Sequence, residues 1–371
     1  RLTDVTGVQT CALPIFDDSR MAVTMAMDCC RKGGIVLNYF EVKGLLKNRE
    51  GKIAGVNATD INTGNNYEIK SKLVINATGV FADEIHRMDD PSAKPSIRPS
   101  QGVHIVLDRS FLGGDSAIMI PKTDDGRVLF AIPWYDKVVV GTTDTPLDII
   151  TNEPRALEEE INFILKTADK YLTKSPSRAD ALCIFAGLRP LAADPDNPAA
   201  TKEVSRRHKI TLSRSGLLSI VGGKWTSYRR MAEETINKAI KAGILERKEC
   251  ITRDYRFYNG NATPVAERFK IYGDQATEIE KMIGDDPGLG ELLDPRLPYT
   301  KAEIIWICRN EMPLTIEDML ARRTRSLFLD AKASSAIAPE VAGIMSKELN
   351  VDGNWTENQI KEYNQLILNY L

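Results

Sequence analysis

The chain has 371 residues, 43% hydrophobic and 27% charged, with Lys+Arg 49 against Asp+Glu 51 for a formal net charge of −2. That length carries two or three domains with a sizeable core, in proportions ordinary for a globular enzyme. The balanced charge, with no basic stripe, excludes a nucleic-acid binder; no apolar run approaches the roughly 20 residues of a membrane span, so any membrane contact is expected to be peripheral.

Residues 5–15 read VTGVQTCALPI and resemble the translation of a sequencing-library adapter. Residues 1–15 are therefore set apart as a non-native segment outside the fold. From Asp17 to Lys32, positions Met21, Thr24, Met25 and Cys29 recur at helical spacing. Asp17 and Asp18 suit the positive end of that helix, and Gly33-Gly34 stops it. Cys29 and Cys30 lie on and at the end of this helix, where burial is expected rather than redox work. The six cysteines include no C-x-x-C pair, so neither a metal site nor a disulfide framework is expected and a reducing, cytoplasmic compartment fits.

Short alternating segments follow, GIVLNYFEVKGLL, GKIAGVNATDI and NYEIKS, separated by turn signals and read as an antiparallel meander. KLVINATG is a near-continuous apolar run, which suits a strand buried on both faces of a parallel sheet. Ligands of such sheets lie beyond the carboxyl ends of the strands, where Thr78 and Gly79 fall. Residues 97–143 are strand-rich and predict a larger antiparallel sheet. A helix is expected from about Glu153 to Leu172, then a strand in ALCIFAGLRPL and a hairpin in HKITLSRSGLLSIVGG. From about Tyr255 the pattern is helical to the end.

At residues 219–234, SIVGGKWTSYRRMAEE, an apolar strand turns into a helix that Gly243 ends. Thr226 or Ser227 can cap the first turn. Gly222 and Gly223 let a ligand approach the backbone, the helix start favours negative charge, and Lys224 adds a cation. Taken alone, the motif reads first as a plain strand–helix turn with a solvated lysine. Arg189 in AGLRPL and Arg206 with Arg207 in VSRRHKI add guanidinium groups at strand ends, suited to phosphate or carboxylate. Three basic positions of this kind point to a small anionic substrate beside a cofactor.

LVINATG, GVHIVLD, IPWYDKVVVGTTD, AGLRPL, SRRHKI and GGKWTSYRRMAE, in this order, resemble the FAD-dependent glycerol-3-phosphate dehydrogenases, within the flavoproteins shaped like D-amino-acid oxidase. The resemblance runs from about Phe16 to Ala242, and the C-terminal part looks like the helical domain attached to many members. It implies an α/β (α+β) fold: a partial FAD-binding Rossmann-like domain over 16–96, a mainly substrate-binding antiparallel sheet over 97–215, a return to the FAD domain over 216–245, and a helical domain over 250–371. It implies oxidation of sn-glycerol 3-phosphate to dihydroxyacetone phosphate, with hydride passing to FAD and electrons to a quinone.

By the same resemblance, Arg189, Arg206 and Lys224 hold the substrate phosphate and polarise the reacting oxygen, with Thr226 close by. His104, in GVHIV, is the implied general base; the alternatives are a packed strand histidine, or an arginine sharing the role. Thr78, Gly79, Gly222 and Gly223 contact FAD. Gly141–Asp144, GTTD, match the family without a chemical role, and no metal is expected. The expected location is cytoplasmic or peripheral on the inner face of the cytoplasmic membrane, with the helical domain serving membrane contact or a homodimer. The G-x-G-x-x-G fingerprint and the HGGxRY-type segment expected ahead of Phe16 are not in the sequence, which leaves the cofactor domain incomplete. Other readings are an oxidase passing electrons to oxygen, an amine or amino-acid oxidase, against which Arg206 and Lys224 argue, and a flavin-free, non-catalytic fragment.

Overall fold

The computed structural model describes residues 9–11, 17–123, 126–193, 208–257 and 266–371. In chain order these form strand β1 (Gln9–Cys11), helix α1 (Asp18–Arg31), the strands β2 (Phe40–Lys47), β3 (Ile53–Asp60), β4 (Asn66–Lys70) and β5 (Val74–Asn76), and helix α2 (Ala82–Asp89). Next come β6 (Ile97–Asp108), β7 (Ala117–Ile120), β8 (Leu129–Trp134), β9 (Lys137–Gly141), β10 (Thr145–Pro146) and helix α3 (Glu158–Ala168). After β11 (Cys183–Ala192), β12 (His208–Leu212) and β13 (Leu217–Gly222), the chain is helical: α4 (Tyr228–Lys241), α5 (Ala276–Asp285), α6 (Lys301–Asn310), α7 (Ser326–Leu329), α8 (Ala331–Leu349) and α9 (Gly353–Ile367).

Helix α1 starts where expected: Asp17 caps it, accepting from the Arg20 amide at 3.0 Å. Of the expected stripe only Thr24 is fully buried, alongside Arg20 and Asp28; Met21 and Met25 are half-buried, and Cys29 and Cys30 are exposed. The reason is tertiary: this face meets polar groups of the C-terminal region. Arg20 pairs with Glu311, which is itself buried, and donates to the Arg323 carbonyl at 3.2 Å.

The meander is present as the antiparallel sheet β2-β3-β4. A second small sheet, β12-β13-β5, pairs β13 with β5 in parallel, Ser219 opposite Asn76. Because β5 is an edge strand among the described residues, Ile75 stays 40% exposed and the expected burial on both faces does not occur. The third sheet runs β1-β7-β8-β9-β6-β10, with β11 pairing β6 along ten residues. Here the backbone of Gln9–Cys11 forms an antiparallel edge strand on β7, although residues 1–15 were expected to lie outside the fold. Edge pairing uses main-chain groups and tolerates almost any sequence.

Period-2 alternation divides β6. Val103, Ile105 and Leu107 point into an apolar core with Ile161 and Ile164 of α3. Gly102, His104 and Val106 therefore face the other way, beside their partners Gly187, Phe185 and Cys183 on β11. Helix α3 is shorter than expected because its N-terminus is fixed by Glu160, whose carboxylate accepts from the Leu157 amide at 3.0 Å. The largest buried cluster lies in the helical region, from Phe269 to Ile367, with Met27 and Trp134 packed against it.

Candidate active site

The face of the large sheet away from α3 carries the chemistry-bearing side chains. His104 lies opposite Gly141 on β9 and Phe185 on β11. Gly141 is needed there: a Cβ would stand 2.4 Å from His104 Cδ2 and 2.8 Å from the Val103 carbonyl oxygen. His104 stacks on Phe185 with centroids 5.2 Å apart and planes at 19°. Burial first, and the Arg189 guanidinium second, lower its pKa to about 4, while Asp18 pulls the other way. The imidazole is thus neutral at physiological pH, with an unprotonated ring nitrogen, and less basic than an exposed histidine.

Arg189 is opposite Ser100 on β6, two positions from Gly102. Its guanidinium folds across Gly102: a Cβ there would stand 2.1 Å from Nη2. Nη2 donates to Thr142 Oγ1 at 2.9 Å, and Nη1 faces Asp144 Oδ1 at 3.5 Å. Ser100 Oγ also donates to Asp144. So the GTTD run, which carried no chemical role in the sequence, grips the arginine.

Beneath that run sits Glu160, buried on α3. It accepts from Thr143 Oγ1 at 2.7 Å, Thr145 Oγ1 at 2.6 Å and Gln101 Nε2 at 2.7 Å, and the Val103 amide donates to Thr143 Oγ1 at 3.0 Å. Sequence reading missed Glu160, because its partners are distant in the chain and a glutamate in a helical run ordinarily signals a solvated face. It also passed over Gly102 and gave Gly141 no role beyond its place in the GTTD run; that Gly141 lies opposite His104 and Gly102 under Arg189 is visible only once the register is known.

The two glycine turns lie at the carboxyl ends of the parallel pair β5 and β13. Thr78 donates to Asn76 Oδ1 at 2.8 Å, and Asn76 Nδ2 donates to the Ala82 carbonyl at 3.0 Å, which ties the turn to its own strand. Gly79 at φ 62°, Gly222 at φ 73° and Gly223 at φ 83° all occupy the left-handed region that favours glycine. Ala82 and Val221 share a small apolar cluster with Ile97 and Ala192. That cluster sets both turns beside the end of β11, three residues beyond Arg189. Lys224 and Thr226 are exposed at the short turn Trp225–Ser227 leading into α4. Neither Thr226 nor Ser227 caps α4 through its side chain; the Ser227 hydroxyl donates back to the Lys224 carbonyl at 2.8 Å, which closes the turn instead. Arg206 and Arg207 lie outside the described residues.

A Cβ at Gly79 would meet nothing within 4 Å. The open backbone at Gly79, at a strand end that leads into a helix, fits the approach of a dinucleotide, whereas at Gly223 that space is taken by Met231, whose sulfur lies 2.6 Å from where a Cβ would stand. Among the described residues no cluster of three or more His, Cys, Asp or Glu could hold a metal.

Residues 11–229 match the family model described as FAD dependent oxidoreductase. The chain belongs to that family. Residues 213–359 of this FAD-dependent oxidoreductase match a second model, the C-terminal domain of alpha-glycerophosphate oxidase. A probable mitochondrial glycerol-3-phosphate dehydrogenase of Dictyostelium discoideum is 36% identical, over 96% of this chain and 60% of the relative. The mitochondrial glycerol-3-phosphate dehydrogenase of Homo sapiens is 37% identical, over 93% of this chain and 51% of the relative. The chain thus spans half to three-fifths of these relatives. In the solved structure of the glycerol-3-phosphate dehydrogenase from Bacillus halodurans complexed with FAD, 73% of that protein superposes on 95% of this chain, with TM-score 0.78 and 26% identity.

Proposed function

We propose that this chain forms the substrate side of a flavoprotein that oxidises sn-glycerol 3-phosphate to dihydroxyacetone phosphate. The observation that carries the reading is the Arg189 guanidinium, seated over Gly102 and fixed by Thr142 and Asp144, on the same face as an uncharged His104. A fixed guanidinium binds an anionic group and steadies negative charge developing on a nearby oxygen. His104 accepts the hydroxyl proton of the alcohol as its carbon gives up hydride. Lys224, exposed at the glycine turn, and Arg206 supply further cations for a phosphate dianion, and Thr226 a hydroxyl donor. Thr78, Gly79, Gly222 and Gly223 are the residues that would hold FAD. When bound, FAD supplies the hydride acceptor.

The reading includes a quinone as the electron acceptor and hence peripheral contact with the cytoplasmic membrane; among the described residues no helix is long and apolar enough to cross one. The match of residues 213–359 to an oxidase domain favours oxygen as the second acceptor to test. The experiment is anaerobic addition of sn-glycerol 3-phosphate to the FAD-loaded protein, followed by flavin absorbance. Bleaching supports the reading, and unbleached flavin in a protein shown to bind FAD refutes it. Reoxidation by a soluble quinone or by oxygen then separates the acceptors.

A further inference from the structure

A run of ring contacts joins the C-terminal helices to His104. The imidazole stacks on Phe185, and Phe185 meets Phe328 edge to face, centroids 5.0 Å apart and planes at 78°. Phe328 on α7 lies in turn between the Arg325 guanidinium, 4.5 Å from its centroid, and the Tyr370 ring at 5.7 Å. Main-chain bonds clamp the start of β11 just ahead of Phe185: the Ala331 amide donates to the Leu182 carbonyl at 3.0 Å, and the Ile184 amide donates to the Tyr370 carbonyl at 2.8 Å. Arg325 is held from the other side by α1, donating to Ser19 Oγ at 2.7 Å and facing Asp17 and Asp18 at 3.6 Å each.

Stacking matters here because no hydrogen bond orients the ring. Among the described residues neither nitrogen of His104 is hydrogen-bonded. The floor under the ring is Gly141, which offers no side chain, so Phe185 is the contact that defines the imidazole plane. Phe185 is itself only partly buried in its strand, and what holds it on its far side is Phe328. Aromatic pairs in offset or edge-to-face geometry add about 0.5–1.5 kcal/mol beyond their buried area, enough to select one side-chain orientation.

We propose that Phe328 is a positioning residue for His104: through Phe185, the C-terminal helices fix the imidazole plane and keep water from its outer face. The helical region is then part of the active-site wall rather than an appendage. The charged groups facing His104 are Arg189 on β11 and Asp18 at the start of α1; Asp18 also faces Arg325, which rests on the Phe328 ring, so Phe328→Tyr, which keeps that ring, is the control for an effect through Asp18. The proposal rests on the reading above only in giving the position of His104 a catalytic purpose.

The test needs neither substrate nor flavin, so its failure and that of the dehydrogenase reading are distinguishable. The chain has three histidines, His86, His104 and His208, so their ring signals can be assigned in the full chain by His→Gln substitutions and followed by NMR against pH. In Phe328→Leu the His104 midpoint should rise by ~1 unit as water reaches the ring, and its ring protons should lose part of the upfield shift from stacking on Phe185. Phe328→Tyr, which keeps the edge contact, should restore both. Ile337→Val, a truncation in the same helical core away from the stack, should change neither. If Phe328→Leu does not fold, Phe328→Met is read in the same way. A His104 midpoint and shift in the leucine or methionine variant equal to those of the wild type overturn the proposal.

Discussion

Gly102→Ala tests the seat of Arg189 with a single methyl group. The new Cβ would stand 2.1 Å from Nη2, 2.5 Å from Cζ and 2.6 Å from Nη1, where ordinary contact begins at 3.4 Å. The guanidinium must therefore move by more than about 1 Å, leaving Thr142 Oγ1 and the Asp144 carboxylate. The obstructing atoms are the tip of a flexible side chain, so the strand itself need not shift and stability should change by less than about 1 kcal/mol. Misplacement of a substrate-positioning group by about 1 Å costs on the order of 10²-fold, or about 2.7 kcal/mol of transition-state stabilisation. The assay is kcat/KM for sn-glycerol 3-phosphate in the FAD-loaded protein, beside calorimetric affinity for the same ligand and a thermal melt. A variant that melts like the wild type and retains wild-type affinity and kcat/KM would refute the assignment of Arg189 as the anion anchor.

Glu160→Ala strands four donors, on Thr143, Thr145, Gln101 and Leu157, and should cost about 3 kcal/mol in urea unfolding. Substrate affinity should fall as well, since the loop that holds Arg189 loses its base; a loss below about 1 kcal/mol would remove Glu160 from that role. Glu311→Gln leaves the buried Arg20 without its carboxylate and should destabilise by roughly 3–5 kcal/mol, read as a drop in urea midpoint that a second change, Arg20→Met, partly restores. Two groups give opposite pH dependence. Burial raises Glu303 from 4.5 to about 7, so its contribution is full below about pH 4.5 and is lost as pH rises through 7. His104 is lowered from 6.5 to about 4, so stability falls as pH drops from 6.5 towards 4, by up to about 1.4 kcal/mol per unit. Melting curves from pH 4 to 8 should lose a fall in stability with rising pH between about 4.5 and 7 in Glu303→Gln, and a gain in stability with rising pH between about 4 and 6.5 in His104→Gln; profiles parallel to the wild type would contradict both assignments.

What the sequence determined by itself is what local chemistry specifies. Asp17 and Gly33 bound α1 because caps and left-handed stops act within one turn. The meander, the strand-rich stretch, the Gly222-Gly223 corner and the helical C-terminal region follow from periodicity and turn residues, and the ordered motifs identified the family. Tertiary structure alone decided which residues meet. Opposite charges separated by 291 positions turned the expected apolar face of α1 into a polar one, through Arg20 and Glu311. The register of β6 with β9 and β11 set Gly141 and Phe185 against His104, and Gly102 under Arg189. Glu160 became the base of the GTTD loop, and Phe328 reached the site, only because α3 and α7 pack on strands far from them in the chain. A propensity is a property of a few neighbouring residues, whereas a site is made by pairings whose partners the chain order does not reveal.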